Sequence, residues 1–266
     1  MTLLSKFFGC AALCLLSVSV SAKEAPGFAL ERPDGGRYAK SDFGGKPLVL
    51  YFLSFQCSRC TAIQPLVNAL HQGAKDYALL GVVFGTSKKD LSEAKAKAGV
   101  QFPLAVGTKR MRLDYGVNGT PYFWLVDAKG QLEERFSGET GAQALQKTLR
   151  SCKESVTKCL AERTGLHEIT EEPKRFVGKE VIVGGLLAPG GATYFPSPRF
   201  ALTNGKDKVR VSPWLPIEVA PGPPGVKKRA RPTMSEVLGK YAVVTGVVRE
   251  GKEGLYIEVK QATASD

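Results

Sequence analysis

From Pro47 to Ala161 the apolar and polar positions switch between two periodicities. Pro47–Ser54 (PLVLYFLS) is almost wholly apolar, the pattern of a strand buried on both faces. Thr61–Gln72 places Ile63, Leu66, Val67 and Leu70 at the i, i+3, i+4 and i+7 spacing of an amphipathic helix. Tyr77–Gly85 reads as a second buried strand and Leu91–Ala98 as a short helix. Tyr122–Val126 and Gln131–Phe136 flank the turn Asp127-Ala128-Lys129-Gly130 as a hairpin, and Gly141–Arg150 closes the unit as a helix. Strands alternating with helices in this order predict an α/β fold, with parallel strands joined by a helical crossover and a hairpin at one edge.

After about Arg163 the texture changes to short strands: Glu180–Leu187, Arg199–Thr203, Lys208–Ser212, Tyr241–Arg249 and Leu255–Lys260. A helical signal, Thr233–Leu238 with an N-cap threonine and Glu236 three residues on, lies between the third and fourth. Five strands with a helix in that place resemble the element order of an OB-fold, a small all-β barrel. Pro213–Pro232 interrupts it, rich in proline and carrying the basic run Lys227-Lys228-Arg229-Ala230-Arg231. The expected division is therefore an α/β unit over 23–162 and a barrel over 163–266 with an insertion at 213–232.

Residues 1–22 are set apart. Lys6 precedes an apolar stretch from Phe7 to Val20, and Val20-Ser21-Ala22 ends it with small residues, the pattern of a cleavable signal peptide. The expectation is export to a bacterial periplasm, with Cys10 and Cys14 removed and four cysteines left in a disulfide-permissive compartment. With 43% hydrophobic and 23% charged residues, wholesale disorder is excluded. The net charge of +12 is spread along the chain rather than gathered on one stripe, so no nucleic acid partner is expected.

Cys57-Ser58-Arg59-Cys60 follows the buried strand and opens the helix. A helix N-terminus offers unpaired N–H groups and the positive end of the dipole, which stabilise a thiolate; Arg59 adds a positive charge. An i, i+3 pair across the first turn also brings two sulfurs within bonding distance. A zinc half-site or a plain structural bridge uses the same spacing, but zinc needs two further ligands. The two histidines, His71 and His167, have no ligand spacing to the cysteines, so no metal and no cofactor is expected. His71 and His167 read as solvated, Phe123 and Trp124 as hairpin core, Trp214 as a loop anchor, and Lys227–Arg231 as a solvated basic loop.

Residues 26–150 resemble the TlpA/ResA-type thioredoxin-like proteins. The resemblance rests on Pro26-Gly27-Phe28-Ala29-Leu30, Ser41–Pro47 leading into the strand, the CxxC motif, Pro65 in the helix, and Asn118-Gly119-Thr120-Pro121 before an apolar strand. It implies a periplasmic thiol-disulfide oxidoreductase with Cys57 as nucleophile and Cys60 as resolving thiol. It also implies a cis Pro121 against the disulfide, with Thr120 offering its backbone to substrate. Partners implied are protein thiols and disulfides, and a membrane or periplasmic redox protein that recharges the dithiol; the barrel is free for a further protein partner. Four positions depart from the family: Gln56 stands where it usually has Trp, Arg59 where a proline precedes the second cysteine, Ile63 where several members carry Glu, and Tyr51 where thioredoxin carries a buried Asp. The competing readings are a thiol peroxidase and a thiol chaperone for copper or haem assembly. Ser54 three residues before Cys57 suits the peroxidase, but Leu50 stands where that motif begins with proline.

Cys152 and Cys159 are expected to form a structural disulfide, against two free thiols or a second redox pair. In one continuous helix their Cα atoms would lie about 10.5 Å apart, beyond the roughly 4.4–6.8 Å that a disulfide tolerates. The helix must break between them, and Val156 and Thr157 place the expected break at Ser155–Thr157.

Overall fold

A computed structural model describes residues 23–152, 154–190, 200–212, 218–219 and 237–265. The first 22 residues, Trp214 and Lys227–Arg231 lie outside these, as does most of Thr233–Leu238.

The chain enters through a small hairpin of β1 (Ala29–Glu31) and β2 (Arg37–Ala39). A five-stranded sheet follows, built from β3 (Leu48–Leu53), β4 (Ala78–Val83), β5 (Leu104–Val106), β6 (Tyr122–Val126) and β7 (Leu132–Ser137), in the order β5-β4-β3-β6-β7. The β3–β4 and β4–β5 pairs are parallel, while β6 and β7 form an antiparallel hairpin on the other side of β3. Every residue of β3 is buried, as its unbroken apolar run requires of a central strand covered on both faces.

Helices α1 (Ser58–Gln72), α2 (Lys88–Lys97) and α4 (Gly138–Ser151) cover one face; α3 (Lys109–Asp114) covers the other. Alternation along β3 assigns the layers. Val49, Tyr51 and Leu53 join Ile63, Val67, Leu91 and Leu145, whereas Leu50 and Phe52 join Met111 and Tyr115. The β1–β2 hairpin, the three-residue strand β5 and the six-residue helix α3 escape the sequence reading because none is long enough to show a period.

Three short helices, α5 (Val156–Ala161), α6 (Leu166–Glu171) and α7 (Pro173–Phe176), lead into the second half. There β8 (Glu180–Pro189), β9 (Phe200–Thr203), β10 (Lys208–Ser212), β12 (Tyr241–Gly251) and β13 (Gly254–Ser265) close into a barrel, β10 pairing with β13 in parallel and the other neighbours antiparallel. A two-residue strand, β11 (Glu218–Val219), adds to β13. This is a five-stranded barrel with the strand order of an OB-fold. At Gly246 the β12–β13 register shifts; a Cβ there would sit 2.4 Å from the Glu258 carbonyl oxygen, so only glycine permits the bulge. Leu166, Ile169 and Phe176 pack with the barrel interior beside Val183, Leu202 and Ile257.

The two halves share buried contacts. Leu186 and Tyr241 of the barrel belong to the same apolar cluster as α1 and α4. The Tyr241 hydroxyl accepts hydrogen bonds from Thr148 at 3.1 Å and Arg163 at 2.9 Å. His167 corrects its expected exposure: it is 5% exposed, edge-on to Trp124 at 5.0 Å, with Nδ1 3.5 Å from Glu134 Oε1. It is buried because Leu166, His167 and Ile169 of α6 are wedged between β7 and the barrel.

Candidate active site

The site is built where β3 hands over to α1. Cys57 is the N-cap of α1 in an extended conformation, and its Sγ accepts the backbone N–H of Cys60 at 3.1 Å. A sulfur in that position receives an amide hydrogen bond and the positive end of the helix dipole, both of which favour the thiolate over the thiol. Cys57 is half-buried and Cys60 is 4% exposed, so one sulfur is accessible and the other faces the core. The two are joined as a disulfide with Cα atoms 5.2 Å apart. Arg59, between them, is exposed. Pro65 lies inside α1.

Across from the cysteines the Thr120–Pro121 bond is cis. The Thr120 carbonyl oxygen lies 3.4 Å from Cys57 Sγ, and Pro121 is buried. This loop is held from behind by a relay of backbone hydrogen bonds. Gly138 N–H donates to the Pro121 carbonyl at 3.0 Å, and the adjacent Ser137 N–H donates to the Asn204 carbonyl at 3.3 Å. Asn204 belongs to the β9–β10 turn of the barrel. The approach is close: Gly141 Cα faces Asn204, and a Cβ at Gly205, whose φ is +87°, would lie 2.3 Å from the Ser137 carbonyl oxygen.

The same turn carries a buried ionic knot. Asp207 accepts two hydrogen bonds from Arg135, Nε at 2.8 Å and Nη2 at 2.7 Å, and one from Thr170 at 2.9 Å. Burial raises the Asp207 pKa, but the Arg135 guanidinium outweighs it and holds the carboxyl below its usual range. Glu134 accepts from Asn204 Nδ2 at 2.7 Å and from Leu166 N–H at 2.5 Å. The sequence reading missed these residues, although one signal was present. β7 alternates buried and half-buried positions, and Glu134 falls in the buried phase between Leu132 and Phe136. A carboxylate there needs partners from elsewhere in the chain.

Cys152 and Cys159 are bonded, with Cα atoms 5.4 Å apart. The helix α4 ends at Ser151 and α5 starts at Val156, so the break comes earlier than the expected Ser155–Thr157, and Ser155 caps α5 by accepting the Lys158 N–H at 3.4 Å. His71 lies in the last turn of α1, about 21 Å of helix rise from Cys57. Burial and the nearby Lys95 lower its pKa.

Residues 22–135 match the family model described as AhpC/TSA family. The thiol:disulfide interchange protein DsbE of Vibrio cholerae is 30% identical over 132 residues, covering 48% of this chain and 70% of that one. The thiol-disulfide oxidoreductase ResA of Bacillus subtilis is 30% identical over 118 residues, 43% of this chain and 66% of the relative. Among solved structures, a putative DsbE from Chlorobium tepidum superposes with a TM-score of 0.45 at 24% identity, covering 49% of this chain and 95% of that one.

Proposed function

Because the chain belongs to the family of thioredoxin-like thiol:disulfide interchange proteins, we propose that it exchanges disulfides with protein substrates through Cys57 as nucleophile and Cys60 as resolving thiol. One observation carries this reading. The accessible sulfur caps α1, the buried one sits a turn further in, and both stand beside the cis Thr120–Pro121 loop. The Cys57 thiolate attacks a substrate disulfide and expels the substrate's other sulfur as a thiolate. Cys60, deprotonated, then attacks Cys57 Sγ, releasing the second substrate thiolate and closing the Cys57–Cys60 bond. Two electrons pass from the dithiol to the substrate; started from the oxidised protein, the same steps run in reverse. Thr120, whose carbonyl lies beside Cys57, offers its backbone to the extended substrate segment, and Pro121 fixes that backbone.

Residues 23–162 form the catalytic domain in this reading, and 163–266 a barrel that braces the loop behind Pro121 and leaves a surface for a protein partner. The signal-like first 22 residues and the Cys152–Cys159 bridge support export to an oxidising compartment such as a periplasm, where a redox protein there or in the membrane recharges the dithiol. Peroxidase chemistry is disfavoured by Leu50, a buried β3 residue where that motif needs proline.

The reduction potential of the Cys57/Cys60 couple tests the proposal. A helix-capped sulfur with Arg59 beside it favours the reduced form, so equilibration with glutathione should place the couple on the oxidising side of about −270 mV. A value below about −300 mV, the range of structural disulfides, would contradict it.

A further inference from the structure

Helices α1, α2, α3 and α4 all begin at one end of the sheet, because β3, β4, β5 and β7 run in the same direction and each leads into a helix. Cys57 lies at this end. A helix N-terminus carries a partial positive charge, so an acidic residue in the first turn stabilises a helix and a basic one destabilises it. Three of these helices go against that rule. α1 opens with Arg59 and α3 with Lys109 and Arg110, with no acidic residue in either first turn; α2 opens with Lys88 and Lys89 ahead of Asp90. All five cations are exposed. Arg59, Lys88, Lys89 and Lys109 make no ion pair among the described residues, and Arg110 has a surface pair with Asp114 at 2.8 Å. These side chains oppose the helices they begin, and the folded chain offers them no compensation.

The barrel adds a cation from the other side. Lys206, exposed in the β9–β10 turn, donates to the Tyr122 hydroxyl at 3.5 Å and stands 5.2 Å from the centre of that ring. Asp207 and Glu171 are engaged by Arg135, so neither carboxylate holds the Lys206 ammonium. Tyr122 is two residues, about 7 Å of extended chain, from Thr120, whose carbonyl faces Cys57. The carboxylates at this end are few. Asp90 accepts the Ser87 hydroxyl at 2.6 Å, Asp34 is held by Arg32, Asp114 by Arg110, and Glu139 opens α4. An open cleft of about 490 Å³ lies between the loops that open α1 and α2, lined by Gln56, Phe84 and Ser87. Arg112 lies over the Phe84 ring at 5.6 Å.

We propose that this end of the molecule is a docking surface for proteins whose disulfide is flanked by acidic residues. Lys88, Lys89 and Lys109 stand on the β4–β5 side of Cys57, and Lys206 of the barrel stands on the β7 side. The net charge of +12 is spread along the sequence, but the fold gathers part of it around the nucleophile. Like-signed charges around a site attract an oppositely charged partner and raise its rate of encounter, an effect that salt removes. The inference rests on reading Cys57 as the nucleophile toward protein disulfides and names the kind of protein selected.

The test uses the reduced full chain and three peptides of one sequence, each carrying its cysteine as a 2-pyridyl disulfide with Glu, Gln or Lys on both flanks. The Cys57 thiolate attacks the peptide sulfur and expels pyridine-2-thiolate, whose absorbance gives the second-order rate. Each rate is divided by that of dithiothreitol with the same peptide, which removes the peptides' own differences in reactivity. In about 10 mM salt the Glu peptide should react about tenfold faster than the Gln peptide and the Lys peptide slower than both, and the preference should vanish near about 0.5 M. Lys89→Glu with Lys109→Glu, and separately Lys206→Glu, should each lower the Glu-to-Gln ratio roughly threefold or more; an unmoved ratio in either overturns the inference. Lys46→Glu with Lys129→Glu makes the same charge change where β3 begins and β6 ends, at the opposite end of the sheet, and should leave the preference in place. An equal loss in both double variants would overturn the inference, because net charge rather than a surface would then be acting. Equal rates for the three peptides overturn it alone and leave Cys57 as the nucleophile. If no peptide releases pyridine-2-thiolate, the role of Cys57 fails and this inference fails with it.

Discussion

Replacing Asp207 with alanine will destabilise the protein by about 3–5 kcal/mol, because it leaves a largely buried guanidinium without its carboxylate. Arg135 makes a bidentate pair with Asp207, and only 12% of the Arg135 side chain and 6% of Asp207 are exposed. The second arm of the same guanidinium reaches Glu171, whose side chain is half in solvent and cannot replace a buried partner. Asp207 also accepts from Thr170 and from Asn204 Nδ2, so its loss frees the side chain that orients the β9–β10 turn. The effect should reach the active site, since that turn holds Ser137, next to the Gly138 that holds Pro121. Denaturant unfolding is the measurement, with disulfide reporter turnover beside it. A change below about 1 kcal/mol would show that the knot is solvated. The pH dependence has a definite sign. Asp207 titrates below the ordinary carboxylate range in the folded chain, so its contribution is complete above that range and is lost as pH falls through the lowered value. Glu133 acts the other way. Burial, followed by the charges of Asp127, Glu168 and Glu134, raises it to about 8, so its ionisation erodes stability as pH climbs from about 4.5 towards 8.

The double substitution Cys152→Ala, Cys159→Ala should lower the melting temperature by roughly 5–10 °C while turnover of a small disulfide reporter persists. The chain-entropy model assigns roughly 2–3 kcal/mol to closing so short a loop, and a chain of this size converts each kcal/mol into about 2–4 °C. The bridge ties the end of α4 to α5, and Cys152 packs in the same apolar cluster as Ile63 and Leu149. The exchanging pair lies on a different helix. Mass spectrometry of non-reduced digests provides the companion measurement: a Cys152–Cys159 crosslink should survive conditions that reduce Cys57–Cys60. Loss of reporter turnover in the double variant would assign this pair to catalysis instead.

How far the sequence speaks depends on whether a residue's role is local. The placement of Cys57 and Cys60 at a strand-to-helix junction is local, set by an all-apolar run and an i, i+3, i+4 stripe, and both are visible without a structure. The barrel strands are legible for the same reason, since Val181, Val183 and Val209, Val211 alternate with half-buried or exposed neighbours. Contacts between the halves are not. His167 looks like a solvated residue in a connecting segment until α6 is wedged beneath β7, and Asn204 and Asp207 look like an ordinary turn until Arg135 reaches them from 72 residues away. The break between Cys152 and Cys159 is intermediate: a distance argument demanded it, but it ends at the Ser155 cap, ahead of the β-branched pair.

The central claim is that the two cysteines of α1 have different jobs, and trapping tests it most directly. With Cys60→Ala the resolving thiol is gone, so covalent complexes with substrate proteins should accumulate through Cys57 and dissolve on addition of dithiothreitol. With Cys57→Ala the accessible nucleophile is gone and Cys60 is buried, so none should accumulate. Equal trapping by both variants, or trapping through Cys60 alone, would contradict the assignment.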